Sequence, residues 1–320
     1  RDHVVKPATE WNRRSRVLDW LGETMSGSHG WTDPPLAWSE VWDYVPGDVL
    51  PMLAHRLAES PSARLPDDVT EHFRLSRRAA AMRFIMEGRA LAAVDECLGS
   101  TGIRFVWLKG AALRRQVYPE PALRPMQDID VWVSVDAVPS AVRSLATIAF
   151  RDCWSSAAEE SAGIPGARLA SESFPRVPIE IHSLPGSLRS LPAGYVKVLW
   201  ERAVPLEGTR GLALSPADTL LHLCLHLSRH HRFALGVRPL LDISLSASKW
   251  RDVIDWPTWC EEVLSAGASA SVWLPLRLSR SIFRADVPES VLASLYPGPI
   301  AGRLIELAEE QLEDAGEMPT

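Results

Sequence analysis

The sequence predicts an α+β fold in which a small sheet in the middle of the chain is flanked by helical N-terminal and C-terminal regions. Three observations lead there. Apolar residues recur at helical spacing over about 67–98. Segments between about 101 and 190 carry strand-like content, separated by short helical patterns and prolines. Beyond about 191 the patterns are helical again, opened by a strong start at Ser215-Pro216-Ala217-Asp218. The regions therefore read 1–98, 99–190 and 191–320.

The first region carries five of the 13 tryptophans before Val45 (Trp11, Trp20, Trp31, Trp38 and Trp42) and loop signals at Asp33-Pro34-Pro35 and Pro46-Gly47-Asp48. From Asp67-Asp68, the apolar residues Phe73, Ala80, Phe84, Leu91, Val94 and Leu98 mark a long helix, with Gly99 as a stop. Arg74, Arg77, Arg78, Arg83 and Arg89 ride on it as a solvated basic face. In the second region, Ile103 to Leu108 is a compact apolar strand and Ala111 to Val117 a short helix closed by Tyr118-Pro119. Ile129 to Val133 is a strand by its β-branched and aromatic content. Asp136 to Phe150 is helical, and Pro178 to His182 alternates as a further strand. In the third region, Ser215 caps a helix that runs to about His231, with Pro216 at its first position and Asp218 three residues after the cap. Helices follow through Leu240 to Leu245, Trp256 to Leu264, Ala270 to Ile282 and Ile300 to Leu312. The acidic tail Glu309 to Glu317 is expected to fray.

Lys and Arg total 34 against 40 Asp and Glu, a net charge of −6, so no global basic field exists to hold a nucleic-acid backbone. Cys97, Cys153, Cys224 and Cys260 lack the short paired spacing of zinc or redox motifs and read as reduced core thiols of a cytoplasmic protein. No uninterrupted apolar stretch is long enough to cross a bilayer, and Arg1 to Arg16 is charged rather than signal-peptide-like. Position 1 is Arg, so the true start is expected upstream.

Chemistry concentrates between Lys109 and His182. Asp128 and Asp130 are two apart at an incipient strand, so their carboxylates leave one face and can converge on one cation. Oxygen ligands without nitrogen or sulfur suit Mg2+. Alone the pair is weak, since chance supplies roughly five such acid-x-acid pairs at this acid content; a cap on the turn before the strand is the bland reading. The context adds to it. A strand ends at Lys109-Gly110 and a helix begins at once, presenting free N–H groups and a positive dipole to an anion. Gly110 allows close approach of a phosphate, and Lys109 and Arg124 add mobile positive charge, although Lys109 also reads as an ordinary solvated lysine. Glu180 sits on a later strand, as a third carboxylate or an exposed one, with His182 on the same side. Three carboxylates and a glycine turn suit metal-assisted phosphoryl or nucleotidyl transfer.

The strings "LKGAAL", "YPEPALRPMQDIDVWV", "IEIH", "LSPADTLLHLCLHLSRH" and "RPLLDISL" resemble the uncharacterised nucleotidyltransferase family of the polymerase-beta-type nucleotidyltransferase superfamily, over about Ala80 to Ala247. The resemblance implies a mixed-sheet nucleotidyltransferase core with a helical C-terminal part. It also implies divalent magnesium, two ions with Mn2+ as a substitute, and a nucleoside triphosphate (ATP among them) that gives its nucleoside monophosphate to an acceptor. The resemblance does not name the acceptor, for which a hydroxyl of a small molecule, peptide or protein is expected; the acidic balance argues weakly against nucleic acid, and the lack of a long apolar stretch against a membrane. Carried over by position, Gly110 is the phosphate-turn glycine, Asp128 and Asp130 are the metal-binding pair, and Glu180 falls at the third carboxylate, with Lys109, Gly110, Ala111 and Arg124 around the nucleotide. The wider superfamily follows this glycine with Ser or Gly, whereas here Ala111-Ala112 follow. A hydroxyl ligand is missing. That departure motivates a second reading, a catalytically silent scaffold that binds a nucleotide or a protein partner, with the tryptophan-rich N-terminal region as its interaction surface; packing within a helical N-terminal domain is the better reading of those tryptophans.

His222, His226 and His230 are spaced by four along one helix, a stripe that could bind a transition metal. The zinc-protease pattern needs Glu after the first His, and Leu223 stands there. Histidines on an amphipathic helix are usually hydrogen-bonded core or interface residues; ahead of a metal role stands one in which His182, His226 and His230, with His231, Arg238 or Asp242, line the substrate cleft between sheet and helices.

Overall fold

The computed structural model describes residues 8–26, 32–60, 63–154, 166–174 and 177–315. Its first part is helical: α1 (Ala8–Ser26), α2 (Trp38–Val41), α3 (Leu50–Glu59) and the long α4 (Asp67–Ser100). Helix α4 runs through Gly99 rather than stopping there. Its stripe of Val69, Phe73, Ala80, Ala90, Leu91, Val94 and Leu98 is buried, and Arg74, Arg78, Arg83 and Arg89 are exposed, as a solvated face requires. Trp20, Trp38 and Trp42 pack together with Phe73 and His72, inside the helical region rather than on a docking surface. The side chain of Trp11 and all of Trp31 lie outside the described residues.

The sheet begins with β1 (Phe105–Trp107), then α5 (Lys109–Gln116), β2 (Ile129–Val133), α6 (Val138–Thr147), β3 (Arg151–Trp154), β4 (Gly166–Ala170) and β5 (Ile179–His182). The helix expected over Asp136 to Phe150 is shorter because a 3-10 turn at Val135–Ala137 precedes it and Ile148 caps it. After α7 (Ala193–Glu201), two short strands, β6 (Val204–Pro205) and β7 (Leu212–Ala213), rejoin the sheet. The third region is thus not wholly helical; strands of two residues leave no alternation for a sequence pattern to register. Strand order is β3-β4-β5-β2-β1-β7-β6. β2 pairs parallel with β5 and antiparallel with β1, while β1 pairs parallel with β7, so the sheet is mixed.

Because side chains alternate along a strand, the sheet has two different faces. Phe105, Trp107, Ile129, Val131, Val133, Ile179 and Ile181 lie in one apolar cluster with Leu91, Val94 and Leu98 of α4 and Leu145 of α6. Val106 and Trp132 belong to the other cluster, built largely from the C-terminal helices. Those are α8 (Pro216–Leu225), continued by a π turn at His226–His230, then α9 (Arg238–Lys249), α10 (Trp256–Ser265), α11 (Ser269–Phe283), α12 (Glu289–Ser294) and α13 (Ala301–Ala315). Ser215 caps α8 as its position demands, its Oγ accepting from the Asp218 N–H at 3.3 Å, a contribution of about 1 kcal/mol. The acidic tail expected to fray is helical as far as Ala315, and its end lies outside the described residues.

Cys224 and Cys260 are buried core thiols, whereas Cys97 is half-buried and Cys153 exposed, so the expectation of four core thiols holds for two of them; all four are free. Among the described residues, no helix is long and apolar enough to cross a membrane.

One close approach ties the N-terminal helices to this core. A Cβ on Gly22 of α1 would fall 1.5 Å from the Ile282 carbonyl oxygen of α11. Alanine is the better helix former by about 1 kcal/mol, but the obstacle is backbone and cannot rotate away. Gly22→Ala is expected to destabilise the protein by about 1–3 kcal/mol, read as a lower urea midpoint; an unchanged midpoint would show that α1 does not pack this closely.

Candidate functional site

Asp130, Glu180 and His182 all lie on the sheet face that turns toward the C-terminal helices. The parallel register sets Asp130 beside Glu180 and Trp132 beside His182. Ligand atoms of Asp130, Glu180 and His182 lie within 4.8 Å of one another. His182 Nε2 is 2.9 Å from Asp130 Oδ1 and 3.6 Å from Glu180 Oε2. Arg168 of β4 approaches Glu180 at 3.4 Å. Asp128 precedes β2 on a bend, half-buried, and stands outside this close set, lining the adjoining cleft with Lys109 and Arg238. His182, read from the sequence as a cleft residue, is therefore one of the three groups that converge.

Lys109 is neither freely solvated nor extended toward a cleft anion. Its Nζ donates to Asp130 Oδ1 at 2.8 Å, and its backbone takes the left-handed conformation, φ 44°, at the turn from β1 into α5. Such strain is common at functional sites. Burial works against the ammonium charge, but Asp130, Asp128 and Glu180 outweigh it and raise the Lys109 pKa. The three carboxylates respond unequally. Burial would raise Asp130, yet Lys109 and His182 hold it well below the usual carboxylate range. Burial and the Asp130 charge push Asp128 and Glu180 up. Charge thus concentrates on Asp130, 2% exposed.

These donors fit a divalent cation on two grounds. Two carboxylates and an imidazole already converge, as ligands of one divalent ion would. A positive charge, the Lys109 ammonium, is also stable against the Asp130 carboxylate.

Gly110 and Ala111 sit in the first turn of α5. A Cβ on Gly110 would meet Met126 Cγ at 2.7 Å and Arg124 Nη1 at 3.2 Å, so glycine lets this turn lie against the 124–126 segment. Ala111 is buried in the apolar cluster with Met126 and Ile129. Arg124, expected to be mobile, is buried and immobilised: its Nε and Nη2 each donate to Asp242 of α9 at 2.8 Å, and its Nη1 donates to the Pro125 carbonyl at 2.5 Å. Tyr118 donates its hydroxyl to the same Asp242 at 2.7 Å. The pair raises Arg124 further above its already high range, despite burial. Arg238 lines the cleft and pairs with Asp48 at 2.7 Å. The cleft has a free volume of about 100 Å³, so a nucleotide enters it only with movement of its walls. A larger groove of about 870 Å³ lies between α3 and α4, away from the converging carboxylates.

Two buried residues escaped the sequence reading. Arg114 of α5 pairs with Glu87 of α4 and donates to the Arg124 carbonyl at 2.9 Å, and Glu87 accepts from the Met126 N–H at 3.2 Å. Together they clamp the 124–126 segment that leads to Asp128. A signal existed: Glu87 falls seven residues after Ala80 and seven before Val94, on the buried stripe of α4.

The histidines form a separate group. His222 is buried, its Nδ1 3.0 Å from Ser187 Oγ, and burial lowers its pKa to about 3. His226 and His231 line the cleft, and their Nε2 atoms are 3.1 Å apart. Burial lowers His226 well below its usual range, lowers His230, and brings His231 to about 4.

No curated protein matches this chain. Among solved structures, the crystal structure of JHP933 from Helicobacter pylori is similar at 10% identity and a TM-score of 0.36, with 74% of this chain and 96% of that chain covered. A family model described as "Uncharacterised nucleotidyltransferase" matches residues 35–284, a span that includes the carboxylates, Lys109 and the histidines. On that match the chain belongs to the uncharacterised nucleotidyltransferase family, of the polymerase-beta-type superfamily.

Proposed function

We propose that this protein is a Mg2+-dependent nucleotidyltransferase that moves a nucleoside monophosphate from a nucleoside triphosphate to a hydroxyl acceptor on a small molecule, peptide or protein. The observation that carries the reading is the convergence of Asp130, Glu180 and His182 on one sheet face, in a chain of this family. Asp130 and Glu180 would hold the divalent ion, with His182 or Asp128 completing its protein ligands. When bound, such an ion neutralises phosphate charge and acidifies an acceptor hydroxyl.

The chain's own residues supply the rest. Lys109 would leave Asp130 for the triphosphate, exchanging one anionic partner for another, and the N–H groups at the start of α5 would face the same phosphates. The acceptor oxygen would bond to the α-phosphorus as the bond to the β-phosphate oxygen breaks and pyrophosphate departs. The hydroxyl proton would pass to Glu180, whose raised pKa suits a base. With Arg124 engaged by Asp242, Lys109 is the cationic side chain this reading assigns to the phosphates.

The test is thermal unfolding with each of the four nucleoside triphosphates, with and without Mg2+, on wild type and on Asp128→Asn/Asp130→Asn. A ligand at about 100 times its Kd stabilises the fold by roughly 2.7 kcal/mol. The expected result is a higher midpoint with one triphosphate, only with Mg2+ and only in wild type. No shift with any triphosphate removes the reading. The buried Ala111, in place of a hydroxyl residue, favours one alternative, a silent scaffold; that reading expects the shift without any release of pyrophosphate.

A further inference from the structure

We propose that His226, His230 and His231 form a transition-metal site of the Zn2+ class on the wall of the cleft, distinct from the carboxylate site. The three side chains offer nitrogen atoms that lie within 4.8 Å of one another. The stripe visible in the sequence would have used His222, but the fold excludes it: His222 is buried against Ser187. A π turn brings His231 into the set instead. The turn is closed by the His231 N–H donating to the His226 carbonyl at 3.1 Å, five residues back, so these two side chains come to one side of the helix end.

The distances suit ligands of one ion. His226 and His231 point Nε2 at Nε2 across 3.1 Å. Two nitrogens on one tetrahedral Zn2+, each at 2.0–2.1 Å, stand about 3.3 Å apart. An ion can therefore replace the proton these rings share with the two nitrogens at nearly their present separation, each ring tilting to turn its nitrogen toward the ion. His230 supplies the third nitrogen, its ring 4.5 Å from that of His231 and 5.5 Å from that of His226. Backbone geometry builds the group from both sides. After the turn, Arg232 and Phe233 take left-handed conformations, φ 48° and 66°, that fold the chain back. Opposite, the Gly186 backbone runs so close to His230 that a Cβ there would be 2.9 Å from its ring atoms.

Imidazole ligands select Zn2+, Ni2+, Co2+ or Cu2+ over Mg2+. Three protein ligands leave one tetrahedral position for water or for a donor atom of a molecule in the cleft, which His226 and His231 line together with Lys109 and Asp128. The site stands independently of the nucleotidyl-transfer reading, because its test runs in a protein whose carboxylate site is disabled.

The test titrates Co2+ into untagged Asp130→Asn protein and follows the visible absorption, which is intense for a nitrogen-ligated tetrahedral ion and weak for a six-coordinate oxygen-ligated one. The expected result is one equivalent bound with the intense band, displaced by one equivalent of Zn2+. His230→Asn and His231→Ala, each added to that background, should weaken binding by at least about 100-fold. His230 is exposed, so its replacement leaves the fold standing, as circular dichroism would show. Absence of the band in Asp130→Asn overturns the site, and a band that survives either histidine change at unchanged affinity overturns the three-ligand set.

Discussion

Asp130→Asn is expected to lower nucleotidyl transfer by on the order of 10³-fold, the scale on which removal of a single stabilising group acts in a closed site, while leaving the fold in place. Asp130 is the carboxylate that Lys109 and His182 keep charged against complete burial. Asparagine keeps its shape and removes that charge. The fold tolerates the change because Lys109 still faces Asp128 and Glu180, so the loss stays below the 3–5 kcal/mol typical of an orphaned buried charge. The sign of the pH dependence follows from the same shifts. Asp130, with its pKa depressed in the folded state, contributes stability above its ordinary value of 3.8, lost as pH falls through the folded pKa. Asp128 and Glu180 are raised and act oppositely, costing stability at neutral pH and regaining it as they protonate. The measurement is pyrophosphate release with Mg2+ and the triphosphate that stabilises the protein, water serving as acceptor, beside a thermal melt. Full turnover in a folded variant would remove Asp130 from the reaction.

The second large effect concerns stability. Asp242→Ala is expected to cost about 3–5 kcal/mol, because it leaves the Arg124 guanidinium and the Tyr118 hydroxyl buried without their acceptor. This pair joins the segment after α5 to helix α9, so its loss also loosens the wall of the cleft. The double change Arg124→Met/Asp242→Asn removes both charges and keeps an oxygen for Tyr118. It should be milder than Asp242→Ala alone, since replacing a whole buried pair by uncharged groups avoids the orphaned charge. Urea unfolding of the three proteins at one pH decides the matter; a wild-type midpoint in Asp242→Ala would mean that Arg124 is not held by this pair.

Much of the candidate site was legible where the chemistry is local. Alternation along Pro178 to His182 put Glu180 and His182 on one side, and the same rule separated Asp130 from Ile129 and Val131, because successive strand residues leave opposite faces whatever the rest of the fold does. Ser215-Pro216 marked a helix start because the cap is made within four residues. Glu87 was overlooked although its place on an apolar stripe was itself a mark of burial beside a partner.

What the sequence alone determined, then, is the helices α4 to α6, α8 to α11 and α13, the strands β1, β2 and β5, which residues share a face of each, and, by its resemblance, the family; β3, β4, β6 and β7 left no pattern that it registered. Tertiary structure alone decided which faces meet. The parallel pairing of β2 with β5 joins His182 to Asp130 across 52 residues, and the Arg124–Asp242 pair spans 118. Each turned a residue read as an independent ligand into part of a fixed pair. The π turn that replaces His222 by His231 is of the same kind, since no periodicity announces one extra residue in a helical turn. Local patterns record what a residue does to its own backbone and face; register and partner choice are set by the packing of elements far apart in sequence, and no single element encodes them.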